Sequence, residues 1–363
     1  MLNEKSVLKA LSYVNDPDLN KDLVTLNMIK DIIVGEKKVT FTVVLTTPAC
    51  PMKDSIKNAC INAIHHFIDK DLDVEVNMTA NVTSILDKKD NKLKGIKNIV
   101  AIASGKGGVG KSTLTTNLAI ALSKMGAKVG IIDADIYGPS IPIMFGLNGQ
   151  KPGMREIDGK AMIVPLEKFD IKILSIGLLI NEDQAVAWRG PMVTKALNQF
   201  FYDCDWGELD YLLVDLPPGT GDIQLSLAQM IPVTGAVFVT TPQKVAIADV
   251  NKSINMFKLP GVEVSILGLV ENMAYFTPED MPEKKYYIFG ENGGKELAKT
   301  FEINFLGQIP LVQDVRKGGD EGNPITRDNE DPTSLAFKEI AQNLAQQIAI
   351  KNANFANKIE NVS

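Results

Sequence analysis

The sequence predicts an α/β fold in which a mainly parallel sheet is flanked by helices and preceded by a small α+β domain. From residue 98 onward, continuous apolar strand segments alternate with helical stretches, as in a parallel sheet buried on both faces. Residues 1–84 instead combine alternating strands with one amphipathic helix. Residues 85–97 between them are rich in charged side chains, which indicates a linker.

The elements of the first domain follow from local patterns. A short helix over residues 1–13 leads to a turn at "DPDL" (16–19). The strands "TLNMIKDIIV" and "KVTFTVVLT" flank the turn "GEKK". The second strand alternates apolar and polar residues, with apolar Val39, Phe41, Val43 and Leu45. A helix over about 52–69 follows "TPACP", and the strand "DVEVNMTANV" ends the domain.

The second domain is expected over residues 98–350. Its predicted strands are "NIVAIAS", "KVGIID", "IKILSIG", "YLLVDL", "GAVFVTT", "SILGLVEN" and "NFLGQIP". A last helix over about 333–350 closes the domain, and residues 351–363 are expected to form a polar tail.

The composition argues against several classes of protein. The net charge of −6 over 363 residues argues against nucleic acid as a partner. No apolar run approaches the ~20 residues that span a bilayer, so we expect no membrane insertion. The N-terminal "MLNEKSVLKALSYV" lacks the features of a signal peptide. The three cysteines are widely spaced, which argues against a disulfide framework and predicts a cytoplasmic protein.

The segment "SGKGGVGKST" has the pattern G-x-x-x-x-G-K-[ST] between a predicted strand and a predicted helix. In this setting, loop amides and the helix N-terminus hold phosphate oxygens. Lys111 is expected to reach the β- and γ-phosphates, and Ser112 to ligate Mg²⁺. The motif therefore predicts a P-loop NTPase fold with ATP and Mg²⁺ as cofactors. The expected nucleotide-binding residues of the loop are Gly105, Lys106, Gly107, Gly108, Val109, Gly110, Lys111, Ser112 and Thr113.

Polar side chains at the ends of three later strands are expected to serve the same nucleotide. Asp215 ends "YLLVD" and is the expected carboxylate for Mg²⁺, held directly or through water. Asp133 and Asp135 follow another strand, and we favour Asp135 for orienting the attacking water, with capping and turn formation as the alternative. Asn272 in "VEN" carries an amide that can pair with an adenine edge, and a structural role is the alternative.

A second lysine, Lys106, directly follows the first glycine of the loop. Lys111 already serves the phosphates of its own loop, so Lys106 adds little there. Phosphoryl transfer needs positive charge on the γ-phosphate as the bond breaks, and Lys106 can supply it to the nucleotide of a second copy that meets the first face to face. A solvated loop lysine is the alternative. The catalytic candidates are therefore Lys106, Lys111 and Asp135.

The motif "GKGGVGKS" resembles the deviant Walker A of the MinD/ParA/nitrogenase iron-protein class. In that class the signature lysine, here Lys106, reaches across a homodimer to the partner's nucleotide. The segments "DADIYGPSIP", "WRGPM", "TTPQ", "ENMAYF" and "IPLVQDVR" resemble the Mrp/ApbC family of iron–sulfur cluster carrier ATPases. "DPDL" and "TTPACP" resemble the small iron–sulfur assembly domain that is often fused ahead of that ATPase.

These resemblances imply an ATP-hydrolysing homodimer that delivers iron–sulfur clusters. The implied partners are iron–sulfur assembly proteins and apo client proteins. Pro310, in "IPLVQDVR", joins the expected nucleotide-binding residues.

One departure from the family concerns its usual C-x-x-C, which follows "ENM-x-x-F". Two such motifs, one per subunit, would hold a bridging [4Fe–4S] cluster, the cluster type that the resemblance favours. Residues 277–294 here read "TPEDMPEKKYYIFGENGG", without cysteine, and their carboxylates are poor ligands for such a cluster. Either this branch has lost cluster binding in the ATPase domain, or the ligands come from elsewhere. Tyr286, Tyr287 and Phe289 are expected to pack or to contact a partner.

Cys50 is the thiol with a candidate role. It lies just before a predicted helix, whose dipole can lower the thiol pKa, with Pro51 at the first helical position. Cluster transfer or ligation is one interpretation, and a capped structural cysteine is the other. No such role is expected for the other two cysteines, because Cys60 is a core residue and Cys204 is incidental. His65 and His66 are adjacent on a helix and face different ways, so they are not expected to bind one metal together.

Two other functions stay open. One is a ParA/MinD-type organiser, an ATP-gated dimer that binds a surface. The last helix lacks the basic and bulky apolar faces of a membrane-surface helix, and no basic cluster for DNA stands out. The other is a nucleotide-gated scaffold, in which ATP sets the shape of the dimer while the N-terminal domain docks apo-proteins.

Overall fold

The computed structural model describes residues 2–84, 93, 95–136, 138–179, 190–221, 224, 226, 229–281, 283–328 and 330–360. The chain forms two compact units. The first comprises Met1–Thr83 with Ala345–Ser363, and the second comprises Ser84–Leu344. Most of the predicted linker, residues 85–92 and 94, lies outside the described residues.

The first unit packs helices against a small mixed sheet. Its elements are α1 (Glu4–Leu11), β1 (Asn15–Asp16), β2 (Lys21–Asp22), β3 (Ile29–Val34), β4 (Lys38–Leu45), α2 (Lys53–Phe67) and β5 (Asp73–Ala80). The strand order is β3-β4-β5, with β3 antiparallel and β5 parallel to the central β4. The predicted alternation in β4 is confirmed, because Val39, Phe41 and Val43 are fully buried while the residues between them are not.

The second unit alternates strands and helices. Its elements are β6 (Ile99–Ser104), α3 (Lys111–Lys124), β7 (Val129–Asp133), α4 (Ile141–Met144), β8 (Gly153–Ile157), β9 (Lys160–Val164), β10 (Leu166–Lys168), β11 (Ile171–Ser175), α5 (Gly190–Tyr202), β12 (Tyr211–Asp215), β13 (Gly235–Thr240), α6 (Lys244–Phe257), β14 (Ile266–Glu271), α7 (Gly293–Thr300), β15 (Phe305–Gln308), α8 (Gln313–Asp320) and α9 (Pro332–Glu360). Helix α9 belongs to this unit as far as Leu344, and its later residues belong to the first unit.

Within the described residues, eight of these strands form one sheet in the order β10-β11-β7-β12-β6-β13-β14-β15. All neighbours pair in parallel except β10 and β11. Every residue of β6, β7, β12 and β13 is buried, as expected when helices cover both faces. The prediction of a mainly parallel sheet flanked by helices is confirmed. Its register aligns Asp215 with Asp133, and Asp133 with Ser175, at the carboxyl ends of β12, β7 and β11.

The hairpin β8–β9 and the short strand β10 were not predicted from the sequence. Most residues of β8 are exposed, so its sequence shows no apolar alternation. The available signal was Asp158–Gly159, because both residues adopt positive φ (50° and 76°) and an Asp-Gly pair favours such a hairpin turn.

The last helix is longer than expected. α9 continues to Glu360, so residues 351–360 of the predicted polar tail are helical. The sequence "KNANFANKIE" contains neither glycine nor proline to end the helix. Within the first unit, Gln346 donates to Asp18 at 2.5 Å, and Asn352, which is buried, donates to the Thr83 carbonyl at 2.8 Å. None of the helices that the structure describes is long and apolar enough to cross a membrane.

Replacement of Phe41 by alanine should destabilise the first unit. Phe41 is fully buried in the core between the sheet and α2, whereas Ile33 on the neighbouring strand is 67% exposed. We expect Phe41→Ala to cost about 3–5 kcal/mol of unfolding free energy, and Ile33→Ala to cost less than about 0.5 kcal/mol. Urea unfolding of the full chain, monitored by hydrogen exchange of the amides in β3–β5, measures the free-energy cost of each variant. Equal costs for the two variants would contradict this core.

Candidate nucleotide site

The glycine-rich loop connects β6 to α3 at the carboxyl edge of the large sheet. Gly108 and Gly110 have positive φ of 79° and 83°, which other residues rarely adopt. A Cβ on Gly105 would lie 2.2 Å from the Val250 amide nitrogen of α6, and one on Gly110 would lie 2.1 Å from Asn272 Nδ2. Backbone conformation and close packing therefore both require glycine in this loop.

Lys111 is the first residue of α3 and is only 6% exposed. Its Nζ lies 2.8 Å from Asp215 Oδ2 and 3.6 Å from Asp135 Oδ2. Burial is the largest single influence on the pKa of this lysine and lowers it, but the carboxylates of Asp215, Asp135 and Asp133 together outweigh burial, and the net effect raises the pKa. Lys111 is thus held in its charged form at the base of the loop.

The Asp215 carboxylate is fully buried and accepts hydrogen bonds on both oxygens. Ser112 Oγ donates to Oδ2 at 2.5 Å, and Thr115 Oγ1 donates to Oδ1 at 2.8 Å. Ser112 is an expected site residue, whereas Thr115 is not among the residues that the sequence predicts. The available signal was a polar residue one helical turn after Lys111, in a stretch of α3 that faces the sheet.

Asp133 stabilises the loop that follows β7. It accepts hydrogen bonds from the Asp135 amide at 3.2 Å, the Ile141 amide at 3.3 Å and Ser175 Oγ at 2.9 Å. Burial, with the nearby charge of Asp215, raises its pKa. Burial also raises the pKa of Asp135, and Lys111 opposes that shift. The structure thus gives the two carboxyls different places: Asp133 holds the loop, while Asp135 faces the cavity beside it.

A cavity of about 240 Å³ opens over the glycine-rich loop. Its lining residues are Ser104, Lys106, Gly107, Gly108, Gly110, Lys111, Ser112, Thr113, Asp135, Gly138, Ser140, Met144 and Pro218. The expected catalytic residues Lys106, Lys111 and Asp135 therefore meet in one cavity. Asp215 lies behind this lining, in contact with Ser112 and Lys111.

Four expected nucleotide-binding residues lie outside this lining, namely Gly105 and Val109 of the loop itself and the more distant Asn272 and Pro310. The Asn272 side chain holds the loop, because Nδ2 donates to the Val109 carbonyl at 2.9 Å and Oδ1 accepts from the Met273 amide at 2.9 Å. Pro310 is buried just after β15. Pairing of Asn272 with an adenine edge and contact of Pro310 with a nucleotide stay predictions.

The expected lowering of the Cys50 pKa is wrong. Helix α2 begins at Lys53, so Pro51 precedes the helix instead of opening it. Cys50 is half-buried, and burial raises its pKa despite a hydrogen bond from the Met52 backbone. Nearby Asp18 and Asp16 raise the pKa further. The thiol is therefore protonated at neutral pH unless a ligand displaces the proton.

The other two cysteines belong to apolar cores. Cys60 packs in the first unit and Cys204 in the second, and burial raises the pKa of each to about 12. His65 Nε2 lies 3.0 Å from the Leu72 carbonyl, while His66 is exposed and contacts the edge of Phe67. In the part of the chain that the structure describes, no three His, Cys, Asp or Glu side chains form a metal-binding group.

The cysteine-free stretch around residues 277–294 carries exposed aromatic side chains at an antiparallel bridge. Phe276 and Tyr286 exchange backbone hydrogen bonds at 2.8 Å. Tyr287 meets the ring of Tyr275, and Lys285 lies 4.0 Å from the centroid of Tyr275. Tyr286 and Tyr287 are both 41% exposed, so they pack locally and still present surface.

Comparison with known proteins places this site in a family. Residues 95–345 match the family described as NUBPL iron-transfer P-loop NTPase, and residues 4–78 match the family described as iron-sulfur cluster assembly protein. The iron-sulfur cluster carrier protein of Synechocystis sp. is 45% identical, covering 96% of this chain and 99% of that protein. The protein of the same name from Aquifex aeolicus is 41% identical, with coverage of 96% and 99%.

A solved structure agrees with these matches. The nucleotide-binding protein from Archaeoglobus fulgidus in complex with ADP is 39% identical with a TM-score of 0.58, and the match covers 67% of this chain and 93% of that one. With its glycine-rich loop, buried lysine and strand-end carboxylates in one place, the chain belongs to the iron-transfer P-loop NTPase family, fused to an iron–sulfur cluster assembly domain.

Proposed function

We propose that the protein is an ATP-hydrolysing factor that carries iron–sulfur clusters to apo-proteins and acts as a homodimer with nucleotides between its subunits. The single observation that carries the ATP-binding part is the buried Lys111, held by Asp215 at the base of the glycine-rich loop. Relatives named as iron-sulfur cluster carrier proteins over nearly the full chain support the cargo. The reducing cytoplasm that free cysteines suit is the proposed compartment.

Phosphate binding follows from charges already in place. The amides of the loop and the N-terminus of α3 converge on the cavity, and both favour an anion. In the structure, Lys111 balances its charge with Asp215 and Asp135. The β- and γ-phosphate oxygens of ATP offer Lys111 a stronger anionic partner on the cavity side.

The donor set beside the loop suits Mg²⁺, which prefers hard oxygen ligands. Ser112 lines the cavity and donates its hydroxyl proton to Asp215, so its oxygen can bind a cation in place of the long 3.4 Å contact from Lys111 Nζ. Ser112 is therefore the proposed direct ligand, and Asp215 holds it in place or binds through water. When bound, Mg²⁺ neutralises charge on the β- and γ-phosphates.

Lys106 is the proposed link between two subunits. It lines the cavity, is half-buried and forms no ion pair within the described part of the chain. A lysine in that state can place its charge on a nucleotide presented by a facing copy. Asp135 is the proposed residue for orienting the attacking water, since it lines the same cavity.

The number of accessible cysteines limits how the protein could hold an iron–sulfur cluster. The sequence contains three cysteines, and two of them are buried in cores. Cys50 is therefore the one thiol of the chain within reach of a cluster, and two copies would supply two of the four thiolates that a [4Fe–4S] cluster uses. This shortage favours a second candidate function, a nucleotide-gated scaffold that brings cluster donor and client together without ligating the cluster itself.

Mixing two inactive variants tests the action of Lys106 across the dimer. Alone, Lys106→Ala and Asp135→Asn should each lower ATP turnover by at least about 100-fold, because each removes a group that acts on the transition state. A mixed dimer contains one site with an intact Asp135 and the partner's intact Lys106, so mixing should restore part of the activity.

The matched control is Lys252→Ala, which removes a 72% exposed lysine from α6 and should leave turnover unchanged. No recovery on mixing, with dimers shown by sedimentation, would mean that Lys106 serves its own loop. Full activity of Lys106→Ala alone would remove it from the mechanism.

Anaerobic reconstitution with iron and sulfide separates the carrier from the scaffold. A carrier should retain iron and a visible absorption band that Cys50→Ser abolishes, while Cys60→Ser, in the buried core, retains them. ATP turnover with no iron in either wild type or Cys50→Ser would contradict the carrier and support the scaffold.

A further inference from the structure

We infer that Thr115 is the positioning residue of the nucleotide site, fixing the Asp215 carboxylate so that Ser112 and Lys111 keep the orientation that Mg²⁺·nucleotide requires. This inference rests on the proposed nucleotide-binding function. Its evidence lies in three hydrogen-bonding contacts on one buried carboxylate.

The two oxygens of Asp215 have different partners. Oδ2 meets Ser112 Oγ at 2.5 Å and Lys111 Nζ at 2.8 Å, and both of these residues line the cavity. Oδ1 accepts from Thr115 Oγ1 at 2.8 Å. Thr115 is fully buried and does not line the cavity, so an incoming nucleotide has no direct access to it.

This division gives Thr115 a distinct task. When a nucleotide and a cation engage Lys111 and Ser112, the contacts on Oδ2 must change, while the Thr115 contact on Oδ1 can persist. A carboxylate that is anchored through one oxygen cannot rotate freely about its side-chain bond, so the other oxygen stays directed at Ser112.

The hydroxyl of Thr115 has a choice of acceptors. It lies 3.0 Å from the Lys111 carbonyl, one turn back in α3, and 2.8 Å from the charged Asp215 Oδ1. Hydrogen bonds to an ionised acceptor are stronger than those to a carbonyl, so the Thr115 hydroxyl donates its hydrogen bond to Asp215. The backbone contact is the pattern that threonine commonly makes inside a helix, and it holds the hydroxyl beside the carboxylate.

The residue type at position 115 also indicates that the hydroxyl group has a role. Threonine forms helices less readily than alanine or leucine, and a buried helical position facing a sheet ordinarily holds an apolar residue. Leu114, the residue before it, and Leu118, three residues later, are apolar and fully buried. Valine has the same shape as threonine without the donor, so Thr115→Val isolates the hydrogen bond.

Calorimetric titration with ADP over a series of MgCl₂ concentrations, and in EDTA, tests the inference. Thr115→Val should need about tenfold more Mg²⁺ for half-maximal enhancement of ADP binding, as for the loss of one hydrogen bond to a charged group. ADP affinity in EDTA should match wild type. Thr115→Ser, which keeps the hydroxyl, should restore the wild-type Mg²⁺ dependence.

Thr116→Val is the matched control, because Thr116 is the next residue of α3, is buried and directs its hydroxyl at Met144 Sδ at 3.5 Å. It should leave the Mg²⁺ dependence unchanged. An unchanged Mg²⁺ midpoint in Thr115→Val, or an equal shift in Thr115→Ser and Thr115→Val, overturns the role of the hydroxyl. Should Thr115→Val not fold, Thr115→Ala replaces it, and the same shift is required.

The wild-type titration separates this inference from the proposal beneath it. If wild type binds ADP with a Mg²⁺ dependence that Thr115→Val leaves intact, the inference about Thr115 fails alone. If wild type shows no Mg²⁺-dependent ADP binding, the proposed nucleotide function fails, and the inference falls with it.

Discussion

The ion pair between Lys111 and Asp215 constrains the rest of the second unit. Both side chains are nearly inaccessible to water, and removal of one partner would leave a buried charge at a cost of about 3–5 kcal/mol. The pair forms because β6 and β12 are neighbours in a parallel sheet, so the glycine-rich loop and Asp215 both lie at the carboxyl edge. The loop must then be glycine-rich to turn between α6 and Asn272, and Asp133 must brace the neighbouring loop that brings Asp135 to the cavity.

The parallel sheet and the phosphate loop could be predicted from the sequence because both depend on local patterns. Apolar strands such as "YLLVD" and the spacing of Gly105, Gly110 and Lys111 carry that information directly. Thr115 could not be found this way, since its role depends on pairing with a residue 100 positions away. Asn272 was expected to pair with an adenine edge or to be structural, and the sequence does not show that its amide donates to the Val109 carbonyl. The exposed hairpin β8–β9 lacks the burial pattern that strand prediction uses.

The first unit shows how burial can reverse an expectation based on helix position. Cys50 precedes α2, which favours a thiolate, yet it is half-buried near two aspartates, and these raise its pKa. A thiol of this kind gains reactivity when an approaching metal or cluster displaces its proton. The proposed handling of a cluster therefore rests on Cys50 or on thiolates supplied by other proteins.

The central claim is that the cavity over the glycine-rich loop binds ATP through Lys111. The most direct measurement is calorimetric titration of Mg²⁺·ATP into wild type and Lys111→Met, with circular dichroism to establish that both are folded. The account predicts that wild type binds and that Lys111→Met loses at least about 100-fold in affinity, because a charged contact to the phosphates is gone. Equal affinity of the two folded proteins would contradict it and place any nucleotide elsewhere.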